Sequence, residues 1–267
     1  MLALLLAALA APSAGQEPRL EVTGEVVGQT DDALDVRVGL TNRGDADVPS
    51  LRAEGELFGH VESRALDQGL ARGATSGLPF SFPLRDARPG VHAVSLRLDY
   101  EAAATGDRPA RSIVQVAYVL VALGESPPPA VRIFAPDARM DSVGRWRVAL
   151  ESDDAAAHRV RLRVILPRTL RADPLESTVE VPAAGRVEKE LLLFRVDAPW
   201  EAAQGALLVA ATDGEPVTRT TVATALVQVG REPGRMPRLR RPLAAAMGLL
   251  FLAAFALELR RYLRARA

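Results

Sequence analysis

The chain has 267 residues, 48% of them hydrophobic, with 33 basic and 33 acidic side chains and a formal net charge of zero. That composition suits a folded protein, excludes wholesale disorder, and supplies no basic half that would point to nucleic acid. Cysteine is absent, which excludes disulfides, thiolate metal sites and a cysteine nucleophile.

The first element is apolar. Leu2 to Ala11 is an unbroken hydrophobic run, and small residues follow at Ser13, Ala14 and Gly15. Such a run has the length of a signal-peptide core and is too short to cross a bilayer. Residues 1–15 are therefore predicted to be a secretory signal, cleaved near Ala14 or Gly15.

Residues 17–124 carry strand patterns. Leu34, Val36, Val38 and Leu40 alternate with Asp35, Arg37 and Thr41, the period of a half-buried strand, and Asn42-Arg43-Gly44-Asp45 ends it in a turn. In "HAVSLRLDYE" the residues Val94, Leu96, Leu98 and Tyr100 are predicted to point inward. The run "RSIVQVAYVLVAL" is apolar at both parities, as expected of a strand covered on two sides.

Residues 125–129 form a boundary. Pro127, Pro128 and Pro129 make a stiff, extended spacer that offers no ladder donors. A second set of strands is predicted over 130–230. Trp146, Val148 and Leu150 alternate with Arg145, Arg147 and Glu151, and Val160, Leu162, Val164 and Leu166 alternate with Arg159, Arg161 and Arg163. Further strands are "STVEVPA", "VEKELLLFRV", "GALLVAATDG" and "TRTTVATALVQVG".

The chain closes on residues 231–241, a stretch rich in Arg and Pro, and on an apolar run free of charge from Leu243 to Leu257. At about 1.5 Å per residue that run reaches about 22 Å, against a hydrocarbon core of about 30 Å. Glu258 can snorkel while Leu259, Tyr262 and Leu263 lengthen it. Residues 242–259 are predicted to be a single transmembrane helix and 260–267 a basic cytoplasmic tail. Arginines flank the run on both sides, so the positive-inside rule is nearly neutral, and the secretory start decides the orientation.

The two halves are alike. "LDVRVGLTNRGDA" corresponds to "WRVALESDDAA", and "FPLRDARPGVHAVSLRL" to "FRVDAPWEAAQGALLVAAT". Units of about 100 residues with some seven short strands describe an immunoglobulin-like sandwich. The predicted fold class is all-β: two tandem immunoglobulin-like β-sandwiches. The first half resembles bacterial Ig-like modules of the CARDB type, in "VRVGLTNRGDADV" and "RPGVHAVSLRLDYE". The second resembles the Ig-like domain associated with bacterial α-galactosidases and with membrane-anchored envelope proteins, in "VRLRVILPRTLRADP", "VEVPAAGRVEKELLLFRV" and "GALLVAA". Ser152-Asp153 stands where that family carries Asn and a small residue. The resemblance implies sandwiches in an envelope protein and implies no shared activity.

No catalytic motif is present: there is no Gly-x-Ser-x-Gly elbow, phosphate loop or dinucleotide fingerprint. His60, His92 and His158 lie outside metal-ligand spacing of one another, and His92 is in phase with the buried face of its strand. Acid pairs at Asp31-Asp32, Asp45/Asp47 and Asp153-Asp154 fall in predicted turns, where Asp serves turn geometry or supplies oxygens to calcium. No cofactor is expected.

Arg159, Arg161 and Arg163 share one strand face, and Arg168 and Arg171 lie just beyond. Together they are either a face for an anionic partner or a solvated face paired with Glu and Asp of neighbouring strands. The strand edges of open sandwiches are a second way to meet a partner. The expected function is therefore non-enzymatic: a single-pass, extracytoplasmic interaction protein of the bacterial envelope that contacts partner proteins. Binding of exopolysaccharide is an alternative, weakened by an aromatic content of only 4%, and a chaperone-like secretion accessory is another.

Overall fold

A computed structural model describes residues 20–85, 87–104, 110–198 and 202–230. The predicted signal peptide and everything from 231 onward, including the predicted membrane helix, lie outside the described residues. Within them all regular structure is β, and no helix is long and apolar enough to cross a membrane.

The first half has seven strands in two sheets. Strands β1 (Leu20–Gln29), β2 (Ala33–Asn42) and β5 (Thr75–Pro83) pair in the order β1-β2-β5. Strands β3 (Leu51–Leu57), β4 (His60–Leu66), β6 (Gly90–Ala102) and β7 (Arg111–Leu123) pair in the order β4-β3-β6-β7. Alternation dictates the packing. Leu34, Val36, Val38 and Leu40 of β2 and Phe80 and Phe82 of β5 meet Ala53, Leu57, Leu96, Leu98 and Val119 of the other sheet. Each such large side chain contributes about 1.5–3 kcal/mol by leaving water. Phe80 and Phe82 stack with centroids 6.0 Å apart, over Gly55. A Cβ at Gly55 would lie 2.9 Å from Phe80 Cδ1, so the small residue makes room for the ring pair.

One flank of this sandwich is sealed by side chains. Glu62 on β4 accepts the N–H of Ser81 on β5 at 2.6 Å, and Arg64 Nε donates to the carbonyl of Pro79 at 2.8 Å. Glu62 and Arg64 also pair with each other. Outward backbone groups of an edge strand are thereby satisfied, which removes an aggregation template.

The second half repeats the plan with a split leading strand. Strands β8 (Arg132–Phe134), β10 (Val143–Glu151), β12 (Leu170–Asp173) and β14 (Arg186–Arg195) form one sheet, in the order β12-β14-β10-β8. Strands β9 (Ala138–Met140), β11 (His158–Ile165), β13 (Glu176–Val181), β15 (Ala202–Thr212) and β16 (Thr220–Val229) form the other, in the order β13-β11-β15-β16-β9. The chain changes sheets between β8 and β9, at Pro136, which has no N–H to give to either ladder. Trp146 of β10 is buried below this corner, and its indole N–H donates to the Pro136 carbonyl at 2.7 Å. The core contains Trp146, Val148, Leu150, Val160, Leu162, Leu191, Leu193 and Leu208.

The two halves end their second long strand in the same way with different residues. Asn42 is buried; its Nδ2 donates to the carbonyls of Ala46 and Leu70, and its Oδ1 accepts the N–H of Gly44. Ser152, also buried, donates to the Ala130 carbonyl at 3.0 Å and accepts the N–H of Asp154 at 3.1 Å. Both are side-chain turns that close two residues on.

The triple proline does not hold the sandwiches apart. Successive residues Val116 and Ala117 of β7 are both buried, as are Leu207 and Leu208 of β15. One of each pair fills its own core; the other, with Ile165, Tyr118 and Val209, forms a third apolar cluster where the halves meet. The outer faces of the sheets containing β7 and β15 therefore cover one another.

Candidate functional site

Charged side chains frame the contact between the sandwiches. Glu54 and Glu56 stand on the outer face of β3. Glu56 accepts from Arg163 of β11, and Glu54 accepts from Arg168, in the connection from β11 to β12. Arg97 of β6 lies 3.4 Å from Glu54 with Nη1 and donates from Nη2 to the Leu166 carbonyl at 3.1 Å. The Glu54 side chain is only 11% exposed. Burial pushes its carboxyl up, but hydrogen bonding and charge from Arg168 and then Arg97 outweigh burial and hold it below the ordinary value of 4.5.

A backbone seam runs along the other side. Val91 N–H donates to the Thr218 carbonyl at 2.9 Å, and Thr218 N–H donates to the Pro89 carbonyl at 2.8 Å. Thr220 Oγ1 donates to the Val91 carbonyl at 2.6 Å. Gly90 permits this approach: it has φ +127°, and a Cβ there would lie 2.1 Å from the Thr218 carbonyl oxygen. Beside it, His92 donates from Nε2 to the Arg88 carbonyl at 2.8 Å, with Phe58 edge-on to its ring. Burial holds the His92 imidazole below its usual value of 6.5, against the smaller opposing effect of that hydrogen bond.

The five arginines singled out by sequence do not form one surface. Arg163 and Arg168 are engaged with carboxylates of the first sandwich. Arg159 lies 3.6 Å from Asp213, and Arg161 lies 3.6 Å from Asp213 and 3.5 Å from Glu176. These exposed pairs are worth about 0–1 kcal/mol each, and they lower the local positive field. Arg171 stands apart on β12, in the opposite sheet, and has no ion pair among the described residues.

A further cluster escapes sequence reasoning. His158 is 6% exposed; its Nδ1 lies 2.7 Å from Glu215 and its Nε2 2.8 Å from Asp154. Arg219 closes the ring, 3.1 Å from Asp154 and 3.5 Å from Glu215. Asp154 and Glu215 lie far apart in sequence, and only the i,i+4 spacings to His158 and Arg219 hinted at them. With a carboxylate within hydrogen-bond distance of each nitrogen, the imidazole has none left to activate a hydroxyl, so the four side chains tie two loops together rather than composing a triad. Members of two of the acid pairs also have protein partners: Asp47 accepts the N–H of Arg72 at 2.8 Å, and Asp153 lies 2.6 Å from Arg132. Among the described residues, no group of three or more His, Asp or Glu side chains is placed to hold a metal ion.

No family model matches the chain, and no curated protein matches it. Similar solved structures include a red sea bream transglutaminase, at 14% identity over 79% of this chain and 31% of that one, with a TM-score of 0.27. A protein of unknown function from Porphyromonas gingivalis W83 is 16% identical over 74% of this chain and 92% of that one, with a TM-score of 0.30. Salmonella alpha-2-macroglobulin reacted with methylamine is 10% identical over 82% of this chain and 17% of that one, with a TM-score of 0.28. The chain spans less than a third of the transglutaminase, and TM-scores of this size carry no argument about its activity.

Proposed function

We propose that the chain is a non-enzymatic interaction protein of a bacterial envelope, exported by residues 1–15, anchored by residues 242–259, and contacting partner proteins through its tandem sandwiches. The observation that supports this reading is the fastening of the two sandwiches by an apolar cluster, an ion-pair group and a backbone seam. Outward surfaces held in a fixed mutual orientation lose less freedom on meeting a partner, which is what a scaffold or adaptor requires. Kinship with CARDB-type and α-galactosidase-associated Ig-like modules belongs to the same proposal.

Envelope fractionation of the full chain, beside a chain lacking 231–267, tests the anchor: the first stays with membranes and the second becomes soluble. Cross-linking in intact cells tests the function. A defined partner protein, captured from the extracytoplasmic side and lost on denaturing the sandwiches, is the expected result. A chain that remains cytoplasmic, or that meets no partner outside, overturns the proposal.

A further inference from the structure

The outer faces of the four sheets differ in chemistry. Those of the sheets containing β7 and β15 carry apolar residues and cover each other. On the β1-β2-β5 sheet, the outward positions of β2 and β5 include Asp35, Arg37, Thr41, Thr75 and Ser81, a polar surface. The outer face of the β12-β14-β10-β8 sheet is mixed. At one end of it Arg171, Phe194 and Val143 lie in one cross-strand row, and Asp173, Leu192 and Arg145 in the next. Residues directly opposite in antiparallel strands have Cβ atoms about 4.5–5.5 Å apart, so the two rows make one patch. Val143 is 52% exposed and Leu192 36%, and Val196, just past the end of β14, is 63% exposed.

The fold does not require apolar residues at these positions. The core side of the same strands is filled by Trp146, Leu191, Leu193 and Ala172. The charge around the patch is also incompletely balanced. Arg171 has no ion pair among the described residues and Arg145 has only a 3.7 Å pairing with Glu190 at an exposed position, so the two rows hold two cations against the one carboxylate of Asp173. An apolar centre beside cations is the composition of a protein-binding hot spot, where Arg and aromatic anchors carry most of the energy.

We infer that this patch docks a partner protein segment in which an apolar side chain is flanked by carboxylates. The inference rests on the reading of the chain as an interaction protein.

The test uses the full chain in detergent micelles and three fluorescent peptides of one length. One has a central Leu flanked by Asp and Glu, the second replaces the acids by Asn and Gln, and the third by Lys. Anisotropy titration is expected to show the acidic peptide binding about tenfold more tightly than its amide counterpart. Arg171→Glu and Leu192→Ser, both at exposed positions, each weaken that binding by about tenfold, while Arg37→Glu on the polar face leaves it unchanged. Equal affinity for the three peptides, no binding of any, or binding indifferent to both substitutions overturns the inference. So does a dimer in sedimentation that Leu192→Ser disperses, which makes a second copy the occupant. Partner complexes that form on envelope membranes and survive both substitutions overturn this site while leaving the interaction reading intact.

Discussion

Arg168, in the connection from β11 to β12, donates to Glu54 on β3 of the other sandwich, so two residues 114 apart in sequence share one charge pair. Arg97 shares the same carboxylate, and Glu54 is the more buried partner. Removing Arg168 is therefore costlier than removing the acid: it leaves the Glu54 charge, only 11% exposed, with one cation fewer.

Arg168→Ala is expected to loosen the contact between the sandwiches by about 1 kcal/mol, since the Arg168 side chain is 56% exposed and solvent screens the pair. A double-mutant cycle with Glu54→Gln isolates the coupling. Hydrogen exchange at residues 54–57 and 163–168 reports it, and molar salt is expected to reduce it.

Acid is expected to weaken the same contact. The folded value of Glu54 lies below 4.5, so its contribution is complete above that pH and is lost as pH falls through the lower folded value. His92 acts at milder acidity. Its folded value lies below 6.5, so the unfolded chain binds a proton first, and stability declines as pH falls from 6.5 toward the folded value. Urea midpoints across this range should slope downward with falling pH, and His92→Gln, which keeps a donor for the Arg88 carbonyl, should flatten the slope near neutrality.

Gly90→Ala is expected to break the backbone seam while leaving both cores folded. The added Cβ meets the Thr218 carbonyl, and an L residue at φ +127° carries strain of about 1–3 kcal/mol. Lost exchange protection at Val91 and Thr218, with β2 and β10 unaffected, is the predicted pattern. Protection that stays intact at Val91 refutes it.

Trp146→Phe keeps an aromatic ring in the second core but removes the donor to Pro136. A cost of about 1–3 kcal/mol follows from leaving a carbonyl at the sheet switch without its partner. Thermal unfolding measures the total, and exchange at β8 and β9 shows whether the effect is local.

Strand identity and inward phase were legible wherever one face alone is buried. Leu34 to Leu40, Val94 to Tyr100, Trp146 to Leu150 and Val160 to Leu166 all point into the cores that their alternation predicts. The two-sided character of β7 was equally visible, because no polar parity interrupts it. The identity of its cover was not. Period two states which side a residue faces and nothing about what lies on that side, so Arg163 reads the same beside water as beside Glu56. The short strands β8 and β9 carry too few residues to establish a period. The His158 group joins loops whose proximity only the pairing of β11 with β15 creates. Ser152 marks the converse case: a different residue from Asn42 performs the same turn because a hydroxyl, like an amide, can accept from the backbone two residues on.

The apolar cluster between the sandwiches also bears on the order in which the chain is made. Synthesis from the N-terminus completes β7 before Ile165 and Leu207 exist, so Val116 and Tyr118 face water for that interval. The first sandwich is thus a half-product with a sticky side, and cutting the chain at the prolines would make that state permanent. Each separated half is expected to self-associate or to attract holdases, and neither is a faithful miniature of the whole.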